Sequence, residues 1–426
     1  MDSLIIRGGK PIIGKIKISG SKNATLPILL STLLTTKNIT IANVPKLKDI
    51  YTALELIKHH GGEVSLQNLD DELSVTINCC NIDNFKSPYE IVKKMRASIW
   101  ALAPILTRFG VAKVSLPGGC AIGARQVDLH LDVLRSMGAS ITIEHGYINA
   151  KVASERLEAI AFHFDRVSVG ATITGIMAAV FANGTTTLSN CAIEPEISDL
   201  CNFLNSIGAK INNIGSKDLY ITGVESLGET KDEYRVIEDR IEAGTYMIGA
   251  IMTKGNVDII GASALRLGSV ISKLQDAGAL ISIKSNDVIN VRYNGQINSV
   301  DMQTNPYPGF PTDLQAQFMA LMTISNGTST ITENIFENRF MHVLELCRMG
   351  ADIQIQGKCA IISGIAQLSG SDVIASDLRA SGALVLSGLV ANGYTKIARI
   401  YHLDRGYQDL EHKLSSCGAE IKRNNT

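Results

Sequence analysis

A period of about 71 residues constrains this chain more than any other feature of its sequence. A helix-like segment that stops at Gly-Gly or Gly-Ala, followed by an alternating strand, recurs at Gly61-Gly62, Gly138-Ala139, Gly208-Ala209, Gly278-Ala279, Gly350-Ala351 and Gly418-Ala419. Successive separations are 77, 70, 70, 72 and 68 residues. A second marker, a helix that stops at a polar residue or glycine before a Thr/Ile/Val-rich strand, falls between them at Asn38, Gly110, Gly184, Gly255, Gly327 and Gly393. Two independent markers keep one period, and 426 residues divided by six is 71. The chain is therefore read as six copies of one supersecondary unit. Glycine suits these stops because the residue after a helix often needs a left-handed backbone.

Each copy reads as strands alternating with helices, a βαβαββ-like α/β unit. Segments such as Ala171–Ala182 and Ala380–Ala391 are apolar on most sides, which places such helices inside. The strands Ser140–Glu144 and Asp352–Gln356 alternate, so one of their faces meets solvent. Helices inside and sheets outside follow. Six copies close either as one ring or as two bundles of three, and the period does not choose. The charged stretch Gly228-Glu229-Thr230-Lys231-Asp232-Glu233 is the expected half-way joint.

Composition excludes several partners. The net charge is −1, which points to neither nucleic acid nor an anionic membrane. Eight cysteines are scattered without a CxxC pair or a histidine at metal-ligand spacing, which reads as free thiols in a reducing compartment. The start Met1-Asp2-Ser3 has no basic region followed by an apolar run, and no stretch of 18 apolar residues occurs. A cytoplasmic protein is expected.

One cysteine stands apart. Leu116-Pro117-Gly118-Gly119-Cys120-Ala121-Ile122-Gly123-Ala124-Arg125 joins the strand-like run Val111 to Leu116 to a helix read from Val127 to Gly138. Its glycines and proline give little apolar anchoring. A thiol near a guanidinium suits a site that binds an anion and needs a soft acid or nucleophile. The same composition also fits a surface loop with an incidental cysteine.

The loop, followed by Val127-Asp128-Leu129-His130-Leu131, resembles the catalytic loop of the UDP-N-acetylglucosamine enolpyruvyl transferases. Further motifs fit this family in order: Lys22-Asn23, Arg96, Arg166 to Gly170, Phe310-Pro311-Thr312-Asp313, Phe336 to Arg339, Ser376-Asp377-Leu378-Arg379 and Asp404-Arg405-Gly406-Tyr407. Gln126 departs from the proline common in the family, and Arg166 stands where lysine is frequent.

The resemblance implies a two-lobe inside-out α/β barrel with three units per lobe. One lobe would span residues 22–237, the other 1–21 and 238–426, with the active site in the cleft between them. It implies transfer of the enolpyruvyl group of phosphoenolpyruvate to the 3′-hydroxyl of UDP-N-acetylglucosamine, the step that opens peptidoglycan synthesis. Cys120 would deliver a proton and carry a covalent adduct, and Asp313 would be the base or position the hydroxyl. Lys22, Arg125 and Arg405 would hold phosphate, and Arg339 and Arg379 would hold the carboxylate or stabilise charge in the intermediate. Asp377 would support proton transfer. Asn23, Arg96, Val127, Asp128, Leu129, His130, Arg166, Ser168, Val169, Gly170 and Ile335 would bind substrate. No metal or other cofactor is implied, and the partners are the two small substrates.

From the residues alone, Lys22 beside the capping Ser21 is an anion site or a solvated surface lysine. Asp313 after three prolines is a base or a helix cap. Arg339, Arg379 and Arg405 read as standing at equivalent helix starts in related units, where guanidiniums can grip carboxylate and phosphate in bidentate fashion.

Overall fold

The computed structural model describes residues 2–69, 72–117 and 127–424. Among these lie six four-stranded sheets. Each has one parallel outer pair and two antiparallel pairs. The unit 161–222 shows the pattern whole: strand Ala161–His163, helix Val169–Ala179, strand Thr185–Ser189, helix Pro195–Ser206, and the hairpin Lys210–Asn212 with Leu219–Thr222. This is the βαβαββ order.

The glycine stops do what the repeat requires. Gly61, Gly138, Gly208, Gly278, Gly350 and Gly418 all have positive φ, between +93° and +108°. The next residue then bonds back into the helix it follows, as in Ala209 N to Leu204 O at 3.0 Å and Ala351 N to Leu346 O at 3.1 Å. A side chain at such a φ is strained. The second marker is less uniform. Gly110, Gly184, Gly327 and Gly393 have positive φ, but in the fourth unit Lys254 takes it instead of Gly255. Gly255 serves there by lacking a Cβ, which would lie 2.1 Å from the Ile12 carbonyl.

The chain divides into two compact units, the described residues of Met1–Ser19 and Glu238–Thr426 in one and those of Gly20–Cys120 and Arg125–Ile237 in the other. The apolar core divides the same way, into one cluster within each unit. In the unit holding both chain ends, Ser3–Arg7 completes the sheet of Tyr394–Ala398 and Glu420–Asn424, and Ile13–Lys17 pairs parallel with Asn256–Ile260. In the other, Tyr234–Arg235 pairs parallel with Ile41 and Ala42, supplying the outer strand that the first repeat lacks. The stretch 228–233 is therefore not the joint. It leads into that strand, and the division falls after Ile237.

The helices sit inside. All thirteen residues of Arg240–Met252 and all eight of Gln315–Met322 are buried, as are nine of eleven in Val169–Ala179 and nine of ten in Lys22–Ser31. The alternating edge strands are less covered than their pattern suggests. Ile141 and Ile353 are half-buried, yet Ile143 and Ile355, two residues along the same face, are about half exposed. Among the described residues no helix is long and apolar enough to cross a membrane.

Gly350→Ala isolates the backbone requirement, because its Cβ would meet nothing within 4 Å. The variant is expected to lose about 1 kcal/mol of unfolding free energy in urea titration. An unchanged midpoint would contradict the role given to the positive φ.

Candidate active site

In the unit that holds both chain ends, the proline-rich loop delivers Asp313 on a single 3-10 turn, Thr312–Leu314, ahead of the buried helix Gln315–Met322. Asp313 Oδ1 accepts from Arg339 Nη2 at 2.9 Å. Its Oδ2 accepts from Arg379 Nε at 3.2 Å and Nη2 at 3.1 Å. Both arginines are buried, and Arg379 is only 1% exposed. One carboxylate thus bridges two guanidiniums through charge-assisted bonds. Burial works against the Arg379 charge, yet Asp313, Tyr407 and Asp239 hold its pKa above the ordinary guanidinium value. Its Nη1 is buried and has no hydrogen-bond partner among the described residues. A guanidinium fixed on one edge with a donor left over can take a further anionic oxygen.

Packing holds this cluster in place. The Arg379 guanidinium lies 5.5 Å from the centre of the Tyr407 ring. Gln317 Nε2 donates to the Tyr407 hydroxyl at 2.9 Å and to the Asp313 carbonyl at 3.1 Å. Gly382 makes room for Tyr407, since a Cβ there would sit 2.7 Å from the hydroxyl. Asp377 caps the helix Leu378–Val390, accepting from Arg379 N at 2.8 Å and Ala380 N at 3.0 Å.

The expectation of three arginines at equivalent helix starts is corrected here. Arg379 is the second residue of the first helix of its repeat. Arg339 lies in the turn before Val343–Arg348, and Arg405 ends the 3-10 turn Ile400–Arg405 before Leu410–Ser416. The cap at Asp377 fixes the first arrangement, whereas short irregular turns make the other two. Arg339 and Arg379 meet at Asp313. Arg405 is half-buried and, after burial itself, depresses the His402 pKa, which Asp377 opposes. The half-buried Ile335 donates its backbone N–H to Glu333.

The other unit gathers a second set. Ser21 caps Lys22–Ser31, and the buried Lys22 ammonium pairs with Asp49 at 2.7 Å. Asn23 beside it is half-buried. The equivalent cap two repeats on, Ser168, opens Val169–Ala179. Against that helix start lie His130, whose Nδ1 meets Thr174 Oγ1 at 2.7 Å, and Trp100, which donates to the Gly170 carbonyl at 3.1 Å. A Cβ on Gly170 would come within 2.9 Å of the His130 ring. Arg166 Nη2 bonds both Asp128 oxygens, at 2.9 and 2.8 Å. Burial pushes the His130 pKa down to about 4, Arg96 adds to this and Asp128 opposes it. Arg96, Asp128, His130, Arg166, Ser168 and Gly170 are thus grouped at one helix N-terminus, a setting suited to a diphosphate. Val127 and Val169 pack half-buried against the core, and the Leu129 side chain is part of it. Cys120, Arg125 and Gln126 lie outside the described residues.

Sequence reasoning missed Asp49, Glu333, Gln317 and Thr174. Asp49 and Thr174 are revealed by contacts distant in sequence, and Glu333 and Gln317 by distant contacts together with near ones. A cavity of about 470 Å³ in the unit of Gly20–Cys120 is lined by His59, Asp83, Asn84, Phe85, Lys86, Val111 and Lys113. None of the expected site residues lines it. There His59 Nε2 meets the Lys86 carbonyl, and both lysine ammoniums lie 5.1 Å from the Tyr147 ring centre.

Among the described residues no three or more His, Cys, Asp or Glu side chains cluster as a metal site. The sequence profile of the EPSP synthase (3-phosphoshikimate 1-carboxyvinyltransferase) family matches residues 6–414. Proteins named UDP-N-acetylglucosamine 1-carboxyvinyltransferase from Rickettsia felis and Rickettsia akari are each 57% identical over 423 residues, 99% of this chain and all of theirs. The enolpyruvyl transferase NikO from Streptomyces tendae superimposes with a TM-score of 0.90 at 23% identity, over 100% of this chain and 99% of its own. EPSP synthase from Acinetobacter baumannii gives 0.74 at 17%, over the whole of both chains. These two structures share the fold.

His130 should make stability depend on pH. Its folded pKa, about 4, lies below the ordinary 6.5, so the unfolded chain binds more protons between these values. Its contribution is present above pH 6.5 and is lost as pH falls toward 4. Between pH 7.5 and 5.0, His130→Asn should lose roughly 2 kcal/mol less unfolding free energy than wild type in urea titrations. Equal losses would contradict this.

Proposed function

The chain belongs to the carboxyvinyltransferase family of EPSP synthase, in the branch named UDP-N-acetylglucosamine 1-carboxyvinyltransferase, and we propose that it catalyses that transfer in the cytoplasm. Phosphoenolpyruvate gives its enolpyruvyl group to the 3′-hydroxyl of UDP-N-acetylglucosamine, and inorganic phosphate leaves. The whole-length 57% identity to relatives of that name carries the choice of acceptor.

The reaction is an addition followed by an elimination. The acceptor hydroxyl oxygen bonds to C2 of phosphoenolpyruvate while its proton is taken up and another is delivered to the methylene carbon. The tetrahedral intermediate then loses a proton from the new methyl group as the C2–O bond to phosphate breaks. Cys120 is the proposed proton donor and can itself add to C2. Asp313 receives or orients the hydroxyl proton. Arg339 and Arg379, already fixed on Asp313, offer remaining donors to the carboxylate and to charge that develops in the intermediate. Lys22, Arg125 and Arg405 hold the phosphate.

Asp377 supports proton transfer through its position, since its Oδ1 is committed to capping. The helix start at Ser168-Val169-Gly170, with Arg96, Asp128, His130 and Arg166, receives the uridine diphosphate. Asn23 and Ile335 contact the sugar, and the Val127-to-Leu129 backbone lines the nucleotide. Side-chain cations take the part a metal could play, so neither a metal nor another cofactor is assigned.

Phosphate release from phosphoenolpyruvate should occur with UDP-N-acetylglucosamine and not with shikimate 3-phosphate. Cys120→Ser should lose most of that turnover, by about 100-fold or more if the thiol is the general acid. Turnover with shikimate 3-phosphate alone would move the protein to the sister activity. Undiminished turnover in Cys120→Ser would remove the thiol as proton donor while leaving the reaction.

A further inference from the structure

We propose that Glu333 is a positioning residue that sets the aim of Asp313 and Arg339, a role that rests on the reaction assigned above. It follows the strand Thr328–Thr332 and is only 4% exposed. It forms no ion pair among the described residues. Its carboxylate is instead surrounded by donors. Oε1 accepts from the Thr304 hydroxyl at 2.8 Å, Ile335 N at 2.8 Å and Phe336 N at 3.2 Å. Oε2 accepts from the Thr312 hydroxyl at 2.9 Å.

A buried carboxylate is costly unless its oxygens are satisfied, and here four donors from three segments satisfy it. Those segments are the ones the site needs. Thr304 follows the outer strand Met302–Gln303, Thr312 precedes Asp313, and Ile335 and Phe336 open the turn that carries Arg339.

The polarity of the network is directional. Arg339 Nη1 donates to Thr312 Oγ1 at 3.2 Å, and the Thr312 hydroxyl in turn donates to Glu333 Oε2. Arg339 Nη2 meanwhile donates to Asp313 Oδ1. Arg339 is thus held at two adjacent residues, and one of those holds depends on an acceptor-only group behind it. A glutamine at 333 keeps the size and supplies one carbonyl oxygen for the two backbone N–H groups. Its amide NH₂ then faces the Thr312 hydroxyl, which loses the acceptor for its own O–H and must reorient beneath the Arg339 bond. The Arg339–Thr312–Asp313 geometry should loosen while the fold persists.

The test compares Glu333→Gln, Thr312→Val and Thr312→Ser with wild type, by crystal structure and by steady-state kinetics. Glu333→Gln and Thr312→Val should displace Arg339 Nη2 from Asp313 Oδ1. Their kcat should fall about 10- to 100-fold while KM for both substrates stays within about threefold. Thr312→Ser, which keeps the hydroxyl, should retain wild-type geometry and kcat. If Glu333→Gln fails to fold, the two Thr312 variants still decide. An unmoved Arg339–Asp313 contact in the folded variants, or equal losses in Thr312→Ser and Thr312→Val, would overturn the proposal. Displaced geometry with undiminished kcat would leave the positioning intact and overturn the reaction roles given to Asp313 and Arg339.

Discussion

The bridge from Asp313 to Arg339 and Arg379 is the interaction on which this site depends. Two guanidiniums buried together would repel, and each would lose much of its hydration. A carboxylate between them makes their burial tolerable and fixes each edge that it binds. Fixing one edge leaves the rest of each fork as a preset donor. The Arg379 Nη1 that finds no partner among the described residues is what such an arrangement leaves for an incoming anion. Breaking the bridge from either side would leave buried charge unpaired, so the cluster is held together as a whole.

The fold places the bridge by repetition. Glycine at a left-handed backbone ends a helix in the same place in all six units, and each stop sends the chain back as an edge strand. The helices that open each repeat are the buried ones, and the starts of three of them carry candidate residues, Lys22, Ser168 and Arg379, whereas Arg339 and Arg405 lie in turns before second helices. Ser21, Ser168, Asp239 and Asp377 cap four of these starts through their side chains. The same local device thus gives the capped helix start at Ser168 and the seat of Arg379 at Asp377.

Much of this was legible in the residues. The six glycine stops, the buried small-residue helices and the four-strand units follow from spacing and local backbone preference, which act over a few residues. The candidate residues were legible mainly through resemblance, since Asp313 alone reads first as a helix cap. Long-range partners were not legible. Nothing near Lys22 in sequence announces Asp49, and nothing near Thr312 announces Glu333, because sheet register and helix packing bring them together. The equivalence expected for Arg339, Arg379 and Arg405 failed because two of them occupy irregular turns, whose shape depends on tertiary contacts. The joint expected at 228–233 failed because a two-residue strand, too short to show a period, follows it.

Asp313→Asn, assayed for kcat on protein shown to be folded by circular dichroism, tests the central claim most directly. The amide keeps the shape of the side chain and removes the charge that joins Arg339 to Arg379. The expected result is a kcat lowered by about two to four orders of magnitude, the range for a lost acid–base group. A kcat within a few-fold of wild type would show that the carboxylate between the two arginines is a structural clasp and not the centre of the reaction.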